Sequence, residues 1–245
     1  MNKSAIALCA LLTSSVASAD TILGFDASVG AWLPNYSGNI GKDDFNVDKL
    51  SLSEDNITFI QAALEHPIPL VPNLLLAHSK IDTDGSAELQ SSVTFDDETF
   101  QTGATINSDL DLTHTDATFY YEVLDNWVNL DLGLTARMYD GEFTAISEER
   151  SETIKLDGYL PMAYAMARFD LPFSGWSVIA QGNGTAYRGD TLTDFTAKVR
   201  WKFVPAVDLA IEGGYRIMSL DLDELDDLHS DIEIKGPYIG LNLHL

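Results

Sequence analysis

Apolar and polar residues alternate most regularly along residues 192–220. Across residues 195–203, apolar side chains occupy every odd position, and the positions between them carry Thr196, Lys198, Arg200 and Lys202. After a short turn at residues 204–206 the alternation resumes, with Glu212 and Arg216 on the polar face. Side chains of a β-strand point alternately to its two faces, so this period of two predicts a pair of antiparallel strands.

The two faces of this strand pair predict a barrel that crosses a membrane. One face is apolar from end to end, and the other carries charges that need partners in an enclosed space. A transmembrane barrel meets both demands, because lipid covers the outside, the lumen is polar and a closed ring pairs every backbone group. Composition alone would equally permit a secreted acidic β protein.

The same alternation recurs along the chain and predicts an all-β, antiparallel up-and-down barrel of about ten strands. Four connections are short and carry proline or aromatic residues, near residues 67–72, 125–127, 171–175 and 204–206. The others are mostly long and acidic, including residues 34–55, 84–109, 140–155 and 221–231. Short turns at one end and long loops at the other are typical of outer-membrane barrels. For residues 74–80 the sequence leaves open which face is outward.

The first 19 residues predict a cleaved signal peptide, which leaves residues 20–245 as the barrel domain. Lys3 precedes an apolar core, and Ala17-Ser18-Ala19 supplies the small residues that signal peptidase recognises, with cleavage between Ala19 and Asp20. The only cysteine, Cys9, would be removed with this segment, which excludes disulfide bonds. The formal charge of −24 becomes −25 without Lys3, and so acidic a chain disfavours nucleic acid as a partner.

Aromatic residues lie near the predicted strand ends, where the two interfaces of a membrane would be. Aromatic residues also favour strand ends in soluble sheets, so this evidence is weaker. Those near the short turns are Trp127, Phe173, Trp176, Trp201 and Phe203, and those near the long loops are Trp32, Tyr36, Tyr139 and Tyr187.

Charged residues on the predicted inner face are the main candidate site. A ten-stranded barrel leaves little room beyond its side chains, so we expect a paired network that fills the lumen. A narrow pore is the alternative, in which Lys198, Arg200, Lys202 and Arg216 would favour anions. The predicted network comprises Asp131, Arg137, Arg168, Lys198, Arg200, Lys202, Glu212 and Arg216.

Two further functions are weaker alternatives. His114-Thr115-Asp116 and His229-Ser230-Asp231 suggest a hydrolase at the outer rim, although catalytic residues are normally assembled from distant parts of a chain. The acidic loops suggest a surface that binds ligands or divalent cations, and such cations would bridge to lipopolysaccharide phosphates. The candidate ligands are Asp221, Asp223, Glu224, Asp226 and Asp227, although a solvated acidic loop is the ordinary explanation for such a run. No cofactor is predicted.

Three segments resemble a family of small proteobacterial outer-membrane β-barrels that have a Gly-Gly pair near the C-terminus. They are residues 62–73, residues 113–127 and Glu212-Gly213-Gly214-Tyr215-Arg216. The resemblance spans essentially the whole mature chain and implies a barrel in the outer membrane of a Gram-negative bacterium. The family has no settled function and no catalytic residues to transfer. Leu245 departs from the terminal aromatic residue that barrel-insertion machinery usually reads.

Together these observations predict a porin-like outer-membrane barrel of structural or narrow-channel type, without enzymatic chemistry. We expect a monomer that is exported through the periplasm and inserted by the barrel-insertion machinery. Its partners would be outer-membrane lipid and lipopolysaccharide.

Overall fold

Ten antiparallel strands form a closed barrel in the computed structural model, which describes residues 23–40, 45–53, 56–95, 98–187, 190–204, 208–225 and 228–245. The strands of this described part are β1 (Gly24–Trp32), β2 (Asn35–Ile40), β3 (Phe45–Asn46), β4 (Ile57–Glu65), β5 (Asn73–Lys80), β6 (Asp82–Glu88), β7 (Val93–Phe95), β8 (Glu98–Phe100), β9 (Thr105–Asp111), β10 (His114–Leu124), β11 (Val128–Ile146), β12 (Ser151–Leu171), β13 (Trp176–Tyr187), β14 (Asp190–Val204), β15 (Leu209–Leu225) and β16 (Leu228–His244). The ring runs β1, β4, β5, β10 and then β11 to β16, and β1 pairs with β16 to close it. The predicted fold is confirmed.

The strands are strongly tilted, as the pairing register shows. Following paired residues once around the ring from Leu171 on β12 leads back to Tyr159 on the same strand, 12 residues away. With about 3.3 Å per residue and about 4.8 Å between strands, this shift over ten strands gives a tilt of roughly 40°. The path is Leu171, Trp176, Trp201, Ile211, Leu241, Val29, Ile60, His78, Thr115, Met138 and Tyr159.

An apolar band surrounds the barrel next to the short turns. The band covers residues 195–203 of β14, which at this tilt span roughly 20 Å of height, comparable to the apolar thickness of an outer-membrane barrel. Large exposed apolar side chains in it include Phe25, Val29, Ile60, Leu76, Phe119, Leu132, Val178, Val199, Ile211 and Leu241. The structure also resolves the facing of β5: Leu76 points outward, whereas Leu75 and Ser79 are buried.

Several stretches predicted as long loops are instead strands that extend beyond the apolar band. Strands β11 and β12 are 19 and 21 residues long and remain paired up to Ile146 and Ser151. Residues 84–109 are also largely β-structure, because β6 and β9 pair with each other and β9 pairs with β11. The predicted loop at residues 221–231 is likewise part of β15 and β16, with residues 226–227 outside the described part.

The prediction missed these extensions because the apolar face changes sides along the strands. On β11 the outward apolar residues are even-numbered up to Met138, whereas Phe143 and Ala145 are odd-numbered and buried inside. On β16, Ile239 and Leu241 face outward, but Ile232 and Ile234 are buried. This change of side is the one expected if lipid covers the outside only within the band. Beyond the band water would cover the outside, and the interior becomes the apolar phase.

An apolar core therefore fills the barrel at its long-loop end, where the sequence predicted a polar lumen. A 3₁₀ helix (Val47–Leu50) and the β7–β8 hairpin contribute to it. Its buried members include Trp32, Leu50, Ile81, Leu89, Phe100, Ile106, Leu112, Phe143, Met162, Met218 and Ile234.

This core corrects part of the predicted aromatic belt. Trp32 has no exposed surface, and Tyr36 and Tyr139 pack against the same interior cluster, so none of the three forms an outer girdle. At the short-turn end, Trp127, Trp176, Trp201 and Phe203 are exposed on the outside, as predicted. The side chain of Tyr187 lies outside the described residues.

The predicted signal peptide, with its cleavage site between Ala19 and Asp20, also lies outside the described residues. Within the part of the chain that the structure describes, no helix is long and apolar enough to cross a membrane.

Candidate functional site: the barrel lumen

Inward-facing side chains of the barrel strands form two charged layers in the described structure. They follow from strand alternation, because the apolar odd positions of β14 and even positions of β11 face outward and leave the others inside. The upper layer lies directly beneath the apolar core, and the lower layer lies near the short turns.

The upper layer is centred on Arg137 of β11, which is fully buried. Its Nε and Nη2 donate to the two carboxylate oxygens of Asp116 at 2.8 and 2.7 Å, and Nη2 also donates to Asp194 Oδ2 at 2.7 Å. Arg216 donates to both oxygens of the same Asp194, from Nε at 2.9 Å and from Nη2 at 2.7 Å. Two guanidinium groups thus balance two carboxylates, which is the arrangement that buried charges require.

Arg216 also connects this layer to the barrel wall. Its Nη1 donates to Ser79 Oγ at 3.0 Å, and its guanidinium lies 4.8 Å from the centre of the Trp32 ring. Trp32 Nε1 donates to the carbonyl of Gly236 at 3.1 Å. The polar network and the apolar core above it therefore share one side chain, Trp32.

Of the residues that suggested the alternative of a rim hydrolase, the structure describes His114, Thr115 and Asp116, and their side chains do not converge on one site. His114 is buried, and its Nδ1 lies 2.9 Å from the Leu112 carbonyl oxygen. Thr115 points to the opposite face, where its hydroxyl lies 3.0 Å from His78 Nδ1, and Asp116 is paired with Arg137. The side chain of His229 lies outside the described residues.

On one side of the lower layer, charged residues of β1, β14, β15 and β16 form a connected group. Lys198 Nζ lies 3.0 Å from Glu212 Oε2, and Arg200 lies 3.6 Å from Asp26 and 3.7 Å from Glu212. Asn242 Nδ2 donates to Asp26 Oδ1 at 2.8 Å. Two basic groups and two acidic groups therefore balance one another across this side of the lumen.

The opposite side of the lower layer is acidic. Glu122 and Asp131 are directly paired residues of β10 and β11, and both face inward, as does Glu65 of β4. Arg168 lines the same pocket as Glu65 and Asp131, and its Nε lies 3.4 Å from Asp170 at the rim. This asymmetry gives the lower lumen an excess of negative charge.

Cavities interrupt the packing of the lumen, and two of them are lined by residues that the structure describes. One, of about 70 Å³, lies between the layers and is lined by polar side chains that include Gln61, Thr118, Gln181 and Asn183. The other, of about 50 Å³, lies in the lower layer beside Asp131.

The structure brings seven of the eight predicted lumen residues into the two layers. Arg137 and Arg216 lie in the upper layer, and Asp131, Arg168, Lys198, Arg200 and Glu212 lie in the lower one. Lys202 lies at the short-turn rim, 2.5 Å from Asp208. The prediction missed Asp116 and Asp194, which balance the upper arginines. The sequence did indicate that both face the lumen. Asp116 comes directly before the outward residue Ala117, and Asp194 comes directly before the outward residue Phe195.

The predicted cation ligands are only partly described. Asp221 is exposed near the long-loop end of β15, whereas the side chains of Asp223 and Glu224 and the whole of Asp226 and Asp227 lie outside the described residues. Among the side chains that the structure does describe, no group of three or more His, Cys, Asp or Glu residues is placed to hold a metal ion.

Comparisons with known proteins give likeness of fold only. No protein-family model and no curated protein sequence matches this chain. Solved structures that it resembles include the transport unit of the autotransporter AIDA-I from Escherichia coli, at 9% identity over 98% of this chain and 95% of that one, with a TM-score of 0.41. The outer membrane protease OmpT from Escherichia coli matches at 10% identity over 95% and 100%, with a TM-score of 0.39.

A Pseudomonas aeruginosa FadL homologue matches at 8% identity over 91% of this chain and 89% of that one, with a TM-score of 0.31. Scores and identities this low say nothing about activity. The barrel architecture rests on the closed strand pairing of the chain itself.

Proposed function

We propose that this chain is an integral outer-membrane barrel of structural type whose lumen does not conduct. The exposed apolar band supports the membrane location, because such an area of large apolar side chains needs a lipid covering. Export, insertion by the barrel machinery, a monomeric state and contact with lipid and lipopolysaccharide belong to the same proposal. The Gly213-Gly214 pair and the other shared segments support membership of the small proteobacterial barrel family.

The observation that carries the non-conducting role is the apolar core at the long-loop end. An ion that followed the lumen would have to leave the charged layers and cross tightly packed side chains such as Ile81, Leu112, Phe143 and Ile234. Transfer of an unpaired charge into such a phase costs many kcal/mol. The paired arginines beneath the core leave little free charge to coordinate a passing ion.

Single-channel recording in a planar bilayer tests this role. We expect the purified, folded protein to give no discrete current steps. A variant that combines Phe143→Gly with Leu112→Gly should give steps, since it removes two of the side chains that fill the core. Current from the unaltered protein would instead favour the narrow channel, and its reversal potential in a salt gradient would show whether Lys198 and Arg200 select anions.

We also propose that the barrel has no hydrolytic activity. The buried His114, the outward Thr115 and the arginine-paired Asp116 support this. The test is hydrolysis of peptide and ester substrates by the purified protein and by His114→Ala. Turnover that is lost in that variant would establish an enzyme.

A further inference from the structure

The lower lumen contains a pocket that is open toward the short-turn end. Its lining becomes more exposed in that direction, from Asp131 with 4% exposure to the Arg168 and His244 side chains with 28% and 39%. Solutes on the short-turn side can therefore enter this pocket, while the apolar core blocks the other end of the lumen.

One wall of the pocket carries more acidic than basic side chains, because Arg168 is the basic residue that lines it beside Glu65 and Asp131. Glu122 lies directly opposite Asp131 in the strand register, and Glu65 lines the same pocket. The hydrogen-bond donors to Glu65 and Glu122 are neutral: Tyr120 Oη donates to Glu65 at 3.0 Å, and Asn73 Nδ2 donates to Glu122 at 2.5 Å. On the facing wall, the basic residues already balance Asp26 and Glu212.

Asp131 is the residue that indicates a ligand. It is buried and lines the pocket, and its Oδ1 has no hydrogen-bond partner among the described residues. A buried carboxylate oxygen without a donor is costly, so a cation or a strong donor that reaches this position would be bound favourably. A donor that enters the pocket would also interact favourably with Glu65 and Glu122.

The remaining lining selects an organic cation over a metal ion. The described acids do not converge closely enough to coordinate a metal. The rings of Tyr120 and Tyr164, with centres 6.0 Å apart, line the pocket beside Asp131, together with the apolar Met166 and Leu75. Aromatic faces attract ammonium groups, and the apolar side chains suit a short alkyl chain.

We infer that this pocket binds a small organic cation that carries a primary ammonium group. The ammonium group donates to Asp131 and lies within the field of Glu65 and Glu122, and the alkyl portion packs against the tyrosine rings. This inference goes beyond the proposed structural role. Binding is measured on the folded protein in detergent, so its result does not depend on whether the lumen conducts.

Isothermal titration of the folded protein in detergent micelles with n-butylammonium chloride tests the inference. We expect saturable binding with one site. Asp131→Asn should weaken it by at least about tenfold, because it removes a charge-assisted hydrogen bond. Glu65→Gln and Glu122→Gln should weaken it by about threefold through loss of longer-range attraction. Asp140→Asn is the matched control, since Asp140 is exposed on the outer face beyond the apolar band.

Three results would overturn the inference. They are the absence of saturable heat, equal binding by Asp131→Asn, or equal binding of potassium or magnesium ions at the same concentration. Folding of each variant is checked by the heat-dependent gel mobility of the barrel. If Asp131→Asn fails to fold, unchanged affinity in both glutamine variants would reject the site, and the expected losses in both would support it.

Discussion

Arg137 and Asp194 lie 2.7 Å apart across the lumen, although two further strands separate β11 from β14 on the ring. Asp194 also binds Arg216 of β15, so one carboxylate links side chains from three strands. Because Asp116 of β10 completes the group, the upper layer ties together distant parts of the barrel wall. We call this group of four residues the upper-layer network, and it connects non-neighbouring strands through the interior of the barrel.

Disruption of the upper-layer network should lower the stability of the barrel. Arg137→Met removes one of the two cations that balance Asp116 and Asp194, and we expect the free energy of unfolding to fall by about 3 to 5 kcal/mol because a buried carboxylate loses its partner. Urea unfolding in micelles, followed by tryptophan fluorescence, measures the change. The control is Arg150→Met, which breaks the exposed pair with Glu98 and should cost at most about 1 kcal/mol. Equal losses of unfolding free energy in the two variants would contradict a stabilising role for the upper-layer network.

The Gly-Gly pair gives a second, position-specific prediction. A Cβ at Gly214 would lie 2.2 Å from the Ala197 carbonyl oxygen, whereas one at Gly213 would lie 3.7 Å from the nearest atom, the Tyr238 carbonyl oxygen. We expect Gly214→Ala to destabilise the barrel by about 1 to 3 kcal/mol and Gly213→Ala to change stability by less than about 0.5 kcal/mol. The same urea titration measures both variants. A larger loss of stability in Gly213→Ala than in Gly214→Ala would show that Gly214 does not lie close to the Ala197 carbonyl.

Trp32 should report on the junction between the core and the charged layer. Trp32→Phe removes the hydrogen bond to the Gly236 carbonyl inside the barrel, so we expect a loss of about 1 to 2 kcal/mol. The variant should also lose the most blue-shifted part of the tryptophan emission, since Trp32 is fully buried. Trp127→Phe, on the exposed turn, should change neither quantity much. A red-shifted Trp32 component would place it in water.

The free-energy cost of a charge on the outer surface should depend on its position relative to the apolar band. Leu132 lies near the middle of the band, and Leu132→Arg should cost about 2 to 4 kcal/mol in a lipid bilayer. Tyr159 is exposed beyond the band, so Tyr159→Arg should cost about 0 to 1 kcal/mol. Unfolding in phospholipid vesicles measures both. Equal costs would mean that the band does not face lipid.

The acidic face of the β6, β9 and β11 extension should respond to pH. The pKa of Asp109 is raised by partial burial and by nearby Asp82, Asp111, Asp84 and Glu142. A carboxyl group with a raised pKa favours the folded state when protonated, so this contribution is lost as pH rises from its ordinary value of 3.8 through the raised one.

Asp109→Asn should therefore slow amide hydrogen exchange in β9 at pH 7 and have little effect at pH 3. The control is Asp140→Asn, for which we expect no such pH-dependent difference. Faster exchange in the Asp109 variant at pH 7 would contradict repulsion between Asp109 and the neighbouring carboxylates.

The alternation of residues such as Phe195 and Lys198 determined the strand count, the closed barrel and the inner or outer facing of most side chains. This worked because lipid and lumen impose opposite polarity on successive residues of a spanning strand. The same logic failed for Phe143 and Ile234, where the outside is aqueous and the apolar residues turn inward. Alternation alone records the two faces and does not say which solvent each one meets.

By itself the sequence also selected most of the lumen charges, among them Arg137, Lys198 and Glu212, since their parity placed them inside. Only the tertiary structure decided how they pair. The Arg137 to Asp194 contact depends on the 12-residue shift around the ring, which brings non-neighbouring strands to the same height. That shift is fixed by closure of the whole barrel, a condition that no single segment of the sequence contains.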